Sequence, residues 1–99
     1  MREKMSEQKL VETCVLFIGN IPYSLTDNEL HQFSAEHGDV IAAAIVRDER
    51  QRSRGFGFVR LVDTQAAQAA VVAMHGKELQ GRTIRVSLAD NNSRYLSLL

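Results

Sequence analysis

"SRGFGFVR", residues 53–60, sets two phenylalanines one residue apart among two glycines and two arginines, in a chain whose aromatic content is 6%. Strand alternation sends Arg54, Phe56, Phe58 and Arg60 to one face and Gly55, Gly57, Val59 and Leu61 to the other. Val59 and Leu61 are core residues by type, so the two phenylalanines face away from the core. Glycine inside a strand costs about 0.5–1 kcal/mol relative to alanine. Here Gly55 and Gly57 read as the inward positions that let a helix pack closely beneath a flat surface.

A second strand carries the same logic. "TCVLFIGN", residues 13–20, is short and rich in β-branched and aromatic residues, and it is stopped by Gly19, Asn20 and then Pro22. If Leu16 and Ile18 are buried, Val15 and Phe17 share the open face with Phe56 and Phe58. Burying one such side chain contributes on the order of 1.5–3 kcal/mol. Three phenylalanines on a face with no helix over it therefore predict that something other than the protein's own core covers them.

The remaining segments supply that core. In "LTDNELHQF" Thr26 is an N-cap, Glu29 closes a capping box, and Leu25 and Leu30 form a hydrophobic staple. The helix presents Leu30 and Phe33 inward, with His37 at the edge of that face, and is expected to end on a left-handed Gly38. "VIAAAIVR", residues 40–47, is a strand with Val40, Ala43 and Ile45 inward and Ala44 and Val46 outward, broken by a bulge near Ile41. A polar loop, "DERQRS", follows. "DTQAAQAAVVAMHG" is a helix with Ala67, Ala70, Val71 and Met74 on one stripe, closed by Gly76. After "KELQG", the alternating "RTIRVSLA" is a last strand, with Ile84, Val86 and Leu88 on one face and Arg85 and Ser87 on the other.

The order is β-α-β-β-α-β, a split βαβ unit. It predicts an α+β, ferredoxin-like sandwich, a four-stranded antiparallel sheet with two helices on one face. Residues 1–12 read as a flexible N-terminal segment, 13–90 as the domain and 91–99 as a C-terminal tail. With 99 residues, 44% of them hydrophobic, the chain supports one core.

Charge is distributed rather than absent. The formal net charge is +0, from 12 basic and 12 acidic residues. Yet residues 47–60 hold five arginines (47, 50, 52, 54 and 60) against Asp48 and Glu49, whereas residues 26–37 hold Asp27, Glu29 and Glu36 with no Lys or Arg. A positive sheet side and a negative helical side follow. Cys14 is the only cysteine, which excludes an internal disulfide and fits a reducing, intracellular setting. No secretory h-region or membrane-length apolar run is legible. His31, His37 and His75 are dispersed without ligand spacing, so no metal or other cofactor is expected. No nucleophile–base pair or carboxylate dyad points to an enzyme, and no glycine-rich phosphate loop points to a small-molecule substrate.

Flat aromatic side chains flanked by arginine suit unpaired nucleobases, which contribute about 1–3 kcal/mol per stack, and phosphates, which the arginines hold. At this point the chain resembles the RNA recognition motif (RRM) family over about residues 15–89. Its eight-residue ribonucleoprotein motif is matched by "RGFGFVRL", residues 54–61, and its six-residue motif by "LFIGNI", residues 16–21. Leu61 departs from the usual aromatic, but on the core side. Ser34 and His37 stand where the family buries larger apolar residues.

The resemblance implies that Phe17 stacks on one base and Phe58 on its neighbour, with Phe56 against the sugars and Arg54 on a phosphate. Asn20, Arg60, Arg85 and Ser87, with main-chain groups of residues 89–91, complete the implied RNA-binding set. It implies a single-stranded RNA partner, a role in mRNA processing or post-transcriptional regulation, and residence in the nucleus or cytoplasm. The rival expectation is an RRM-fold protein-interaction domain. It would bind a partner protein, or a second copy, through the acidic helix or through a sheet that Tyr95, Leu96 and Leu99 of the tail cover.

Overall fold

A computed structural model describes residues 13–90 and 94–99 of the chain. The N-terminal segment expected over residues 1–12 lies outside the described residues, as do residues 91–93 of the tail. The elements run β1 (Cys14–Gly19), α1 (Asp27–Ala35), β2 (Val40–Arg47), β3 (Ser53–Leu61), α2 (Thr64–Met74), β4 (Glu78–Leu79), β5 (Arg82–Thr83) and β6 (Arg85–Leu88), followed by a 3-10 turn, Arg94–Leu98. The main sheet has the order β2-β3-β1-β6, and all its pairs are antiparallel. The two motif-bearing strands are therefore its centre, in the ferredoxin-like arrangement expected from the element order.

The helices form where local chemistry starts them. Thr26 Oγ1 accepts from the Glu29 amide at 3.1 Å while Glu29 Oε1 accepts from the Thr26 amide at 3.0 Å, which completes the capping box. Asp63 caps α2, its Oδ1 accepting from the Ala66 amide at 2.7 Å. Leu25, Leu30, Ala67, Ala70 and Met74 from the helical layer meet Leu16, Ile18, Ile45, Val59 and Leu61 from the sheet in one buried cluster. His75 is drawn into this frame as a hydrogen-bond acceptor, its Nδ1 taking the Val86 amide at 3.0 Å.

Several expectations are corrected. Gly38 is not a left-handed cap: α1 ends on Glu36 in right-handed geometry, and a Cβ at Gly38 would sit 2.9 Å from Leu61 Cδ2. Glycine is there for packing. In β2 the register shift between Val40 and Ala42 confirms the bulge, but burial follows a different set. Ile45 is in the core with Val40 and Ala43 half-buried against it, and Ala44 and Val46, expected on an open face, are buried as well. Leu88 is 48% exposed, because β6 is short and ends at that residue. The "KELQG" connection is a small hairpin of its own, β4 paired with β5, turned by Gln80 and Gly81 at φ of 50° and 89°. Ser34 is buried, and its hydroxyl finds no partner among the described residues.

The two strand glycines also change meaning. The nearest atoms that a Cβ at either would meet belong to no helix. A Cβ on Gly57 would lie 2.6 Å from the Ala44 carbonyl oxygen and 3.1 Å from Ile45 Cα, both main-chain atoms of β2. Gly55 has φ +86°, beside the Tyr23 ring. The neighbour of Gly57 is backbone that cannot rotate away, so Gly57→Ala is expected to overpack the sheet and destabilise by about 1–3 kcal/mol. Urea unfolding checks this as a lower midpoint at unchanged slope.

Candidate nucleic-acid interface

The outer face of the sheet is built by register. Phe17 pairs with Phe58 across β1 and β3, Ser87 of β6 pairs with Phe17, and Arg85 pairs with Gly19. The three phenylalanine rings form a triangle with centroid separations of 5.7 Å (Phe17–Phe56), 5.8 Å (Phe17–Phe58) and 6.2 Å (Phe56–Phe58). Gly19 is part of this design. A Cβ there would sit 2.8 Å from Phe17 Cε2, so its absence lets the Phe17 ring lie over the strand. Around Phe17, Gly19, Asn20, Gly55, Phe56 and Arg85 an open cleft of about 430 Å³ remains. A base on Phe17 has room there.

The other end of the platform is occupied. Tyr95, in the C-terminal 3-10 turn, stacks on Phe58 with centroids 5.6 Å apart and planes 24° from parallel. Its edge also meets Phe56 at 5.7 Å. Tyr95, Leu96 and Leu99 pack with Val15, Val46 and Phe58 in a second apolar cluster, separate from the main core, and Phe58 is left 5% exposed. Arg54 lies 5.5 Å from the Phe56 centroid, and its Nη1 donates to the Tyr95 hydroxyl at 3.1 Å. Arg94 Nη2 donates to the same oxygen at 3.3 Å. The Arg94 hydrogen bond, reinforced by Arg54, holds the Tyr95 hydroxyl below the usual phenol range. The tail thus presents a flat ring to Phe58 and an oxygen to Arg54, where base and phosphate were expected.

The other expected residues separate into two groups. Arg85 and Ser87 are exposed on β6 beside Phe17. Arg60 is half-buried and donates from Nη1 to Thr13 Oγ1 at 2.8 Å, and Asn20 is committed locally. Asn20 takes φ 60°, donates from Nδ2 to the Thr83 carbonyl at 2.8 Å, and accepts from Arg82 Nη2 at 2.6 Å. It joins the end of β1 to the β4–β5 hairpin. The β2–β3 loop is organised by Asp48, whose Oδ1 accepts the Arg50 and Arg52 amides at 2.8 and 3.0 Å and whose Oδ2 meets Arg52 Nε at 3.1 Å. These contacts, the Arg52 amide first, hold the Asp48 carboxyl below the usual range. Among the described residues there is no cluster of His, Cys, Asp and Glu able to hold a metal ion, and no helix long and apolar enough to cross a membrane.

Comparison with known proteins places this geometry in company. The family model described as "RNA recognition motif" matches residues 16–85. The 31 kDa chloroplastic ribonucleoprotein of Nicotiana sylvestris is 44% identical over 80 residues, 80% of this chain and 25% of that protein. Mitochondrial glycine-rich RNA-binding protein 2 of Arabidopsis thaliana is 48% identical over 77 residues, 77% of this chain and 49% of that protein. The chain therefore spans between a quarter and a half of these relatives. Among solved structures, RNA-binding protein PG1 superposes with a TM-score of 0.76 at 32% identity, covering 82% of this chain and 99% of that one. The Rna15 RRM with bound RNA (GU) gives 0.72 at 27% identity, covering 85% and 92%.

Proposed function

The chain belongs to the RNA recognition motif family, and from that premise we propose that it is a non-catalytic module that holds single-stranded RNA across β1 and β3. Phe17 and Phe58 stack successive bases, Phe56 packs against the sugar between them, and Arg54 pairs with a phosphate. Arg85 and Ser87 read base edges at the β6 side, and Arg60 and Asn20 flank the track. The observation that carries this reading is the phenylalanine triangle on a helix-free face, with an open cleft beside Phe17 and Arg85. In the free chain Tyr95 holds the Phe58 position, so RNA enters at Phe17 and displaces the tail to complete its contacts.

The role proposed is mRNA processing or post-transcriptional regulation, for a chain whose relatives include proteins named as a ribonucleoprotein and an RNA-binding protein. Relatives named as chloroplastic and mitochondrial add organelles to the nucleus and cytoplasm as compartments in which this module works. With so few phosphate contacts, binding should depend only gently on salt, log K falling by about 0.7 per log unit of salt for each phosphate held on a single strand. Fluorescence polarisation with a labelled random-sequence decamer tests this. Single strands should bind and a duplex of equal length should not, and Arg54→Ala should lower the salt slope by about 0.7. Equal affinity for duplex, or an unchanged slope, would count against the assignment.

A further inference from the structure

Two guanidinium groups converge on one phenol oxygen in the tail. Arg54 Nη1 donates to the Tyr95 hydroxyl at 3.1 Å, and Arg94 Nη2 donates to it at 3.3 Å. One cation comes from β3 and the other from the 3-10 turn itself, so the oxygen sits at the seam between sheet and tail. Each arginine is also seated on an aromatic face, Arg54 at 5.5 Å from the Phe56 centroid and Arg94 at 5.3 Å from that of Tyr95. Among the described residues neither forms an ion pair with a carboxylate. A neutral hydroxyl leaves most of that positive charge unanswered.

The surroundings specify what would answer it. The charged groups that bear on the phenol are these two cations, the Arg94 hydrogen bond most, and they hold it below its usual range. The local field thus favours negative charge on that oxygen. A phosphoryl group there adds three acceptor oxygens and a charge of about −1.5 to −2 at pH 7. Guanidinium forks bind phosphate through two parallel hydrogen bonds, and Arg54 and Arg94 are both exposed, which leaves space on the solvent side for the added group. Tyr23, the other of the two tyrosines, meets an arginine only across its ring face, with Arg82 at 5.7 Å.

We propose that Tyr95 is a phosphorylation site whose phosphoryl group Arg54 and Arg94 clamp, and that the modification locks the tail over Phe58 against RNA. A separate protein-tyrosine kinase makes the transfer. Tyr95 Oη attacks the γ-phosphorus of a nucleoside triphosphate, the new O–P bond forms as the bond to the leaving nucleoside diphosphate breaks, and the phenol proton passes to a base of the kinase. The tail that RNA displaces is also the one a kinase lifts, and modification returns it with a stronger grip. It takes Arg54 as well, the residue proposed to hold an RNA phosphate. That consequence rests on the RNA-binding reading above, whereas the clamp itself does not.

The full chain with phosphotyrosine built in at position 95 during translation, compared with the unmodified chain, tests it. The phosphorylated chain should keep the Tyr95–Phe58 ring NOEs, melt at a higher temperature, and bind a random-sequence RNA decamer about tenfold more weakly, the equivalent of about one hydrogen bond to a charged group. Arg94→Ala in the phosphorylated chain should restore about threefold or more, a larger gain than it brings to the unmodified chain. Loss of the ring NOEs or a lower melting temperature on phosphorylation would overturn the clamp, as would an equal Arg94→Ala gain in both chains. Unchanged RNA affinity in a phosphorylated chain that keeps those signatures would overturn the lock. Should the unmodified chain bind no RNA while the signatures hold, the RNA-binding reading falls and the clamp stands. A protein-tyrosine kinase domain supplied with ATP should label Tyr95 in the unmodified chain, and label on Tyr23 alone would overturn the site.

Discussion

Replacing Phe17, Phe56 and Phe58 together with alanine is expected to abolish measurable binding of short single-stranded RNA while leaving a folded domain. Two lost base stacks remove about 2 kcal/mol at the least, which is about thirtyfold in Kd. The domain survives because none of the three belongs to the core that Leu16, Ile18, Leu30, Val59, Leu61 and Met74 build between sheet and helices. They belong to the second cluster, on the other sheet face, with the tail. Circular dichroism should therefore retain its α+β form at a lowered melting temperature, and titration calorimetry should show no heat of RNA binding. Unchanged affinity in that folded triple variant would refute stacking on this face.

Removing residues 94–99 is expected to act in the opposite direction and raise RNA affinity roughly tenfold. The size follows from linkage: the competent fraction of the platform multiplies the intrinsic affinity, and a tail docked by about 1–2 kcal/mol suppresses it by that factor. One stacked aromatic pair contributes about 0.5–1.5 kcal/mol beyond the area it buries, and Leu96 and Leu99 add apolar contact. Tyr95→Ala should give most of the gain, and Tyr95→Phe only part, because it keeps the ring and loses the hydrogen bonds from Arg54 and Arg94. Fluorescence polarisation with one RNA across the three variants measures this. A loss of affinity on truncation would mean that the tail helps to hold RNA.

What was legible beforehand was local or periodic. The capping box at Thr26 and Glu29 is a four-residue signal complete in itself, and alternation along β1 and β3 was enough to put Phe17, Phe56 and Phe58 on one face. What escaped was tertiary. That Gly57 answers to the β2 main chain, and Gly55 to Tyr23, depends on which strand and which loop lie next to β3. The family resemblance places Asn20 near RNA, whereas its bonds to Thr83 and Arg82 span 63 and 62 residues of sequence. Gly19 beneath Phe17 could have been found as a small residue two places along the same strand face. The tail's apolar content at Tyr95, Leu96 and Leu99 is legible in the sequence, but its stacking on Phe58 depends on the tertiary path that returns the tail to the sheet.

Intermolecular NOEs between RNA and an isotope-labelled chain test the central claim most directly. The account predicts contacts from base protons to the rings of Phe17 and Phe58, from ribose protons to Phe56, and loss of the Tyr95–Phe58 contacts seen in the free chain as RNA is added. Persistence of the Tyr95–Phe58 contacts at saturation, with shift changes confined to α1 and α2, would contradict it and favour a protein-interaction surface on the acidic helical side.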